Sequence, residues 1–81
     1  MYLIWRAPLA GLRVLSCKKV CQILAQHGFV EVRRRGSHIV MQRRTPDGTI
    51  TVPVPDHKEV RIGTLRSIIR QSGVPRRDFE S

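Results

Sequence analysis

Two segments of the chain carry apolar residues at helical spacing. The first begins after Ser16, a residue type that caps helix N-termini, and ends at Gly28, which suits the left-handed position after a helix. The second opens at Gly63 and ends at Gly73, and Pro75 prevents its continuation. The stripes that this spacing predicts to be buried are Cys17, Val20, Cys21, Ile23 and Leu24 in the first helix and Leu65, Ile68, Ile69 and Ser72 in the second.

Three runs of alternating or β-branched residues lie between the two helices. We predict strands at residues 29–34, 38–44 and 49–52. A turn is expected at residues 35–37, and Pro46-Asp47-Gly48 is typical of a hairpin. Pro53 and Pro55 either end the third strand or place it at a sheet edge.

The predicted order of elements is therefore α-β-β-β-α, an α+β fold. Three antiparallel strands need one covered face, and two amphipathic helices can cover it. We expect a three-stranded antiparallel sheet with both helices on one face, an order that matches the double-stranded-RNA-binding fold. Residues 1–15 are predicted to form an irregular N-terminal arm, residues 16–74 the folded domain and residues 75–81 a polar C-terminal tail.

The composition adds a strong positive charge to this fold. Fifteen Lys and Arg against six Asp and Glu give a net charge of +9 over 81 residues. Such a field attracts polyanions, and the planar arginine fork can bind two oxygens of a phosphate or carboxylate. RNA, DNA, an acidic membrane surface and an acidic protein are all candidates, and solubility is the simplest interpretation. The length excludes multi-domain enzymes and large cofactor folds.

Other classes of site are disfavoured by residue types and spacing. Cys17 and Cys21 lack the further Cys or His pair of a zinc site, and we interpret them as reduced thiols that pack as small apolar groups. The carboxylates show no metal-ligand spacing and no glycine-rich phosphate loop is present, so we expect neither metal nor cofactor. Arg6 and Pro8 interrupt the apolar start of the chain, which argues against a signal peptide, and no run has the length of a membrane span. We expect a cytoplasmic location and no membrane partner.

His38 is the candidate for chemistry, because it follows the turn at residues 36–37 and would be held by a strand. Near neutral pH an imidazole can take a proton from a hydroxyl. Alternation directs Ile39 and Met41 toward the helices and His38, with Val40, toward the open face. The arginines around it in sequence would hold phosphates and stabilise developing negative charge. One histidine beside a turn is, however, more commonly structural or merely exposed.

Two other histidines are weaker candidates. His57 lies in a loop whose simplest interpretation is a solvated connection, and His27 suits a helix C-terminus, where its positive form favours the dipole. Aromatic residues are few, so RNA would be held mainly through its backbone. The residues that we predict to contact RNA are Arg33, Arg34, Arg35, Ser37, Arg43, Arg44, Lys58 and Arg66.

Several spaced motifs resemble the HicA family of toxins over about residues 16–74. They are Leu24 to Gly28-Phe29, Gly36-Ser37-His38, Pro46-Asp47-Gly48, Thr51-Val52-Pro53, and Gly63 to Gly73. The resemblance implies a ribonuclease toxin that cleaves mRNA and is neutralised by a HicB-type antitoxin covering its active site. The family's catalytic histidine corresponds to His38. Many members carry a second histidine directly afterwards, where this chain has Ile39, and His57 is a conceivable substitute.

Three functions therefore remain open. The leading hypothesis is a metal-independent endoribonuclease toxin with His38 as general base. The alternative is a non-catalytic RNA-binding module, which needs the arginines but not the histidine. A third is an inactive protein whose basic surface only docks an acidic antitoxin.

Overall fold

The computed structural model describes residues 11–80. Within them, helix α1 spans Cys17–Gln26 and helix α2 spans Ile62–Ser72, with strands β1 (Val30–Arg35), β2 (His38–Thr45) and β3 (Gly48–Pro55) between them. All strand pairs are antiparallel and the sheet order is β1-β2-β3. The predicted α-β-β-β-α fold is confirmed. No helix in this part of the chain is long and apolar enough to cross a membrane.

The ends of both helices follow the predicted signals. The Ser16 hydroxyl accepts a hydrogen bond of 3.0 Å from the Lys19 amide, which satisfies one of the free donors of the first turn. At the end of α2, Gly73 adopts a left-handed φ of 73° and its amide donates to the Ile69 carbonyl. Helix α2 begins at Ile62, one residue before the predicted start.

Strand β3 continues through Pro53 and ends at Pro55. A proline has no amide hydrogen to donate and is tolerated where the outer side of a strand has no partner. Because β3 is an edge of the sheet, the expected edge placement is confirmed, and Pro55 is also the last residue of the strand.

One face of the sheet and both helices enclose the core. Helix α2 packs chiefly against β3, and α1 packs more lightly against the same strand. Ser72, although polar, is buried and donates to the Ile69 carbonyl. The most deeply buried apolar side chains are Val20, Leu24, Phe29, Val52, Val54, Val60, Leu65, Ile68 and Phe79.

The segment after Pro75 corrects one prediction. Residues Arg76–Phe79 form a short 3-10 helix, and Phe79 is 1% exposed within the core, so a purely polar tail is wrong. Leu12 bridges Glu80, and Leu15 bridges Val60, which ties the end of the predicted N-terminal arm to the domain. The arm's first ten residues lie outside the described part of the chain. The domain bounds of 1–15, 16–74 and 75–81 stay a prediction.

Candidate nucleic-acid interface

His38 is the first residue of β2, and its side chain lies on the open face of the sheet. The next residue, Ile39, is buried in the core beneath the helices, and side chains alternate along a strand. In the sheet register His38 stands between Arg35 on β1 and Pro55 on β3. The imidazole is exposed. The predicted outward placement of His38 is confirmed.

Arg33 and Arg35 share this face with His38. Arg35 is the direct cross-strand partner of His38, and Arg33 is the partner of Val40, two residues further along β2. Side chains of directly opposed residues have Cβ atoms about 5 Å apart on one face. Both arginines are exposed, and neither belongs to an ion pair within residues 11–80. Two free guanidinium groups therefore border the imidazole.

A β-bulge decides which arginines reach this face. Glu31 pairs with Met41 and Arg33 with Val40, so Val32 is an extra residue in β1. Glu31 thus lies on the covered face with Met41. Strict alternation from Glu31 would have carried Arg33 and Arg35 to the covered face as well. Because of the extra residue, Phe29 can be buried at one end of β1 while Arg35 lies opposite His38 on the open face at the other end.

Val40 forms an apolar floor beside His38. It is only 4% exposed although it lies on the face opposite the core, and its register neighbours are Arg33 and Pro53. A shallow depression is lined by Arg35, His38, Val40 and Pro53. Arginine stems and a proline ring can cover a valine while the charged groups stay in water. The depression therefore joins an apolar base to a cationic rim and one imidazole.

Arg34 points to the other face and is engaged there. Its guanidinium donates a hydrogen bond to the Asp56 carboxylate. The hydrogen bond and the charge of Asp56 raise the pKa of Arg34. The sequence placed Arg34 among the residues around His38, but the structure separates it from that group.

Arg43 is also directed away from His38. It lies on the covered side of β2, where its guanidinium carbon stands 5.5 Å from the centre of the Phe29 ring, a cation–π distance. The Nε atom of Arg43 is buried and has no hydrogen-bond partner. Its Cδ lies so close to Gly28 that a Cβ there would be 3.1 Å away. Arg43 is built into the packing of the hairpin.

The remaining predicted RNA contacts lie at different places. Arg44 shares the face of His38 but sits six residues along β2, about 20 Å away at the rise of a strand. Ser37 is in the adjoining turn and Lys58 is exposed in the loop after β3. Arg66 is exposed on α2, in the helical layer on the other side of the sheet.

The loop after β3 is fixed beside the turn before His38. The amide of Asp56 donates to the Ser37 carbonyl at 2.7 Å, and the His57 carbonyl accepts from the Cys17 amide at 2.9 Å. This loop therefore brings His57 and Lys58 to the same end of the sheet as His38. The sequence singled out the loop but not the role of Asp56, because partners 22 residues apart leave no local signal.

Two other predicted features lie away from this face. His27 follows the last residue of α1, and its Nε2 is 2.6 Å from the Asp78 carboxylate, which joins α1 to the C-terminal 3-10 helix. Cys17 is buried and Cys21 half-buried as free thiols, with sulfur atoms 4.0 Å apart. Burial is the main cause that raises the pKa of both, that of Cys21 to about 12. Within residues 11–80, no three His, Cys, Asp or Glu side chains are grouped to hold a metal ion.

The fold and this face define a small basic α+β domain whose open sheet surface exposes a histidine beside two arginines of the neighbouring strand. Residues 17–74 match the family model described as HicA toxin of bacterial toxin-antitoxin. The match covers more than half of the chain, which therefore belongs to the HicA toxin family and is the toxin of a toxin–antitoxin system. That family also implies an antitoxin partner. A comparison with curated proteins finds none that matches the chain.

Proposed function

We propose that this toxin is a metal-independent endoribonuclease that cleaves mRNA with His38 as general base and is neutralised by a HicB-type antitoxin. The observation that supports it best is the placement of the exposed His38 directly opposite Arg35, with Arg33 next on the same face. The family is generally one of toxins with ribonuclease activity, which supports the same class of reaction.

The chemistry needs one base and a cationic cradle. In its neutral form, His38 accepts the proton of a ribose 2′-hydroxyl, and the 2′-oxygen forms a bond to the adjacent phosphorus. The bond from phosphorus to the 5′-oxygen breaks, and the leaving oxygen takes up a proton from water. The products are a 2′,3′-cyclic phosphate and a free 5′-hydroxyl. Because RNA supplies the nucleophile, the step has no requirement for a metal-bound hydroxide.

The arginines on this face support the reaction electrostatically. Charge builds on the non-bridging oxygens of the phosphorus as the 2′-oxygen attacks, and Arg33 and Arg35 stand where they can donate to those oxygens. Val40 forms the apolar base of the depression beside the imidazole. Backbone recognition of this kind gives weak sequence preference.

Cleavage of a defined mRNA by the purified toxin tests the proposal. We expect His38→Ala to slow cleavage about 10²- to 10⁴-fold, the usual contribution of a general base. A substrate with 2′-deoxyribose at the cleaved position should be resistant, and a chelator should leave cleavage unchanged. Arg70→Gln, at an exposed arginine of α2 on the far side of the sheet, is the control for loss of a surface charge away from His38 and should keep near-normal activity.

Each arm has an outcome that contradicts the proposal. Full activity of His38→Ala removes His38 as the base, and cleavage of the 2′-deoxy substrate removes the 2′-hydroxyl as nucleophile. Loss of activity in chelator removes the metal-free mechanism. RNA binding by the unaltered toxin without any cleavage would favour the RNA-binding module instead. His57→Gln, assayed in parallel, decides whether the second histidine at this end of the sheet takes part.

A further inference from the structure

The two edges of the sheet are protected differently. The β3 edge carries Pro53 and Pro55, which have no amide hydrogen to offer a neighbouring strand, and α2 packs against this strand. The β1 edge contains no proline, and all six of its residues are exposed. Among residues 11–80 no strand pairs with its outer side. The β1 edge therefore retains unpaired backbone groups that an additional strand could bind.

An apolar groove runs beside this edge on the covered face. Helix α1 packs mainly against β3, and a gap remains between α1 and β1. We call it the edge groove; its lining includes the apolar Cys21, Ala25, Phe29, Ile39 and Met41, together with Glu31 of β1. On the opposite face, the side chains of Val30 and Val32 are 59% and 41% exposed. Apolar surface thus flanks the unpaired edge on both sides.

The charges on β1 indicate what kind of strand could pair with this edge. Three of its six residues are arginines, and only Arg34 has an ion-pair partner within residues 11–80. A second copy of this toxin would bring two chains of net charge +9 together, which disfavours self-association. The bulge at Val32 further restricts which strands can pair with the edge. A strand that alternates acidic with apolar residues matches the arginines on the open face and the apolar groove on the covered face.

We propose that the antitoxin binds this toxin by adding an acidic, alternating β-strand to the β1 edge. Its apolar side chains enter the edge groove and its carboxylates meet Arg33 and Arg35. This inference rests on the antitoxin partner of the proposed function but not on RNA cleavage. Main-chain hydrogen bonds give such an interface its affinity, and the groove and arginines give it specificity.

Hydrogen exchange of the toxin, free and in complex with its cognate antitoxin, tests this mode. We expect the outward amides of residues 30–35, those that are not bonded to β2, to exchange quickly in the free toxin and at least about tenfold more slowly in the complex. Amides along the β3 edge should change little. Unchanged exchange in β1 on complex formation would overturn the proposal while leaving the toxin–antitoxin pairing intact. Slow exchange of these outward β1 amides in the free toxin would also overturn it, because the first ten residues or a second copy would already cover the edge.

A pair of substitutions on α1 tests the groove. Ala25→Phe places a ring in the edge groove, whereas Gln26→Phe places the same ring on the neighbouring exposed position outside it. We expect Ala25→Phe to weaken antitoxin binding at least about tenfold and Gln26→Phe to have little effect. Equal affinities of the two variants would contradict the proposal. RNA cleavage by each free variant is measured alongside, so loss of neutralisation is distinguished from loss of the enzyme.

Discussion

The two faces of the sheet hold arginines in different states. On the covered face, Arg34 is bound to Asp56 and Arg43 lies over Phe29. On the open face, Arg33 and Arg35 border His38 and belong to no ion pair within residues 11–80. The residues are close neighbours in sequence, yet one set contributes to the architecture and the other stays free to bind an anion.

Charge density along a chain therefore does not measure the charge that is available to a ligand. A strand sends successive side chains to opposite faces, so a run of three arginines is divided between two environments. Arg34 is paired with Asp56, whereas Arg43 lies over the Phe29 ring with its buried Nε unpaired. The faces can be separated experimentally, because changes on the covered face should act on stability and changes on the open face on RNA.

The largest expected effect is on stability, at the covered face. Phe79→Ala should lower the free energy of unfolding by about 3–5 kcal/mol, because a buried ring is replaced by a cavity. Arg77→Ala, in the same 3-10 helix but exposed, is the matched control and should have little effect. Urea denaturation measures both. Similar unfolding midpoints for the two variants would show that the C-terminal segment contributes nothing to the core.

A second test compares arginines of the two faces in RNA binding. In a His38→Ala background, Arg33→Ala with Arg35→Ala should weaken RNA affinity about 10- to 100-fold and reduce the slope of log K against log salt by about two. Arg34→Ala with Arg43→Ala removes the same formal charge from the other face and should affect affinity less. Binding titrations at several salt concentrations measure both RNA affinities. Equal losses of affinity in the two double variants would contradict the different roles of the two faces.

Val40 offers a smaller test of whether the open face has packing of its own. Val40→Ala should destabilise the domain by about 1–2 kcal/mol, because the substitution removes buried apolar side-chain carbons that are shielded from water in the native protein. Val32→Ala, at a position 41% exposed, should change stability by less than about 0.5 kcal/mol. Thermal unfolding of both variants gives the comparison. If Val40→Ala proves as mild as Val32→Ala, the depression beside His38 has no packed floor.

The last test concerns the thiols of α1 and is confined to alkaline pH. Burial raises the pKa of Cys21 from 9.0 to about 12, so the folded protein keeps a proton that the unfolded chain releases first. The unfolded state then binds fewer protons, and stability declines as pH rises from about 9 toward 12. Cys21→Ala should flatten this part of the pH profile. If stability falls equally steeply with pH in the unaltered toxin and in Cys21→Ala, Cys21 is more hydrated than its burial indicates.

The fold was largely predictable because its signals are local. Ser16 and Gly73 bracket helices by capping, and apolar spacing identified the stripes that Leu24 and Leu65 bury. Phe79 was missed because one aromatic residue in a polar segment has no periodicity to indicate burial. The partners of Arg34 and His27 were also missed, because Asp56 and Asp78 are distant in sequence and their side chains meet only in the folded chain.

By itself, the sequence determined the element order, the helix ends, the positive charge and the outward direction of His38, since each depends on neighbouring residues or on simple alternation. Only the tertiary structure decided which arginines accompany that histidine. The bulge at Val32 resets the alternation of β1, and its position depends on matching a buried Phe29 to a turn at Gly36. The structure likewise left β1 uncovered while prolines closed β3, because strand order and helix placement are properties of the whole fold.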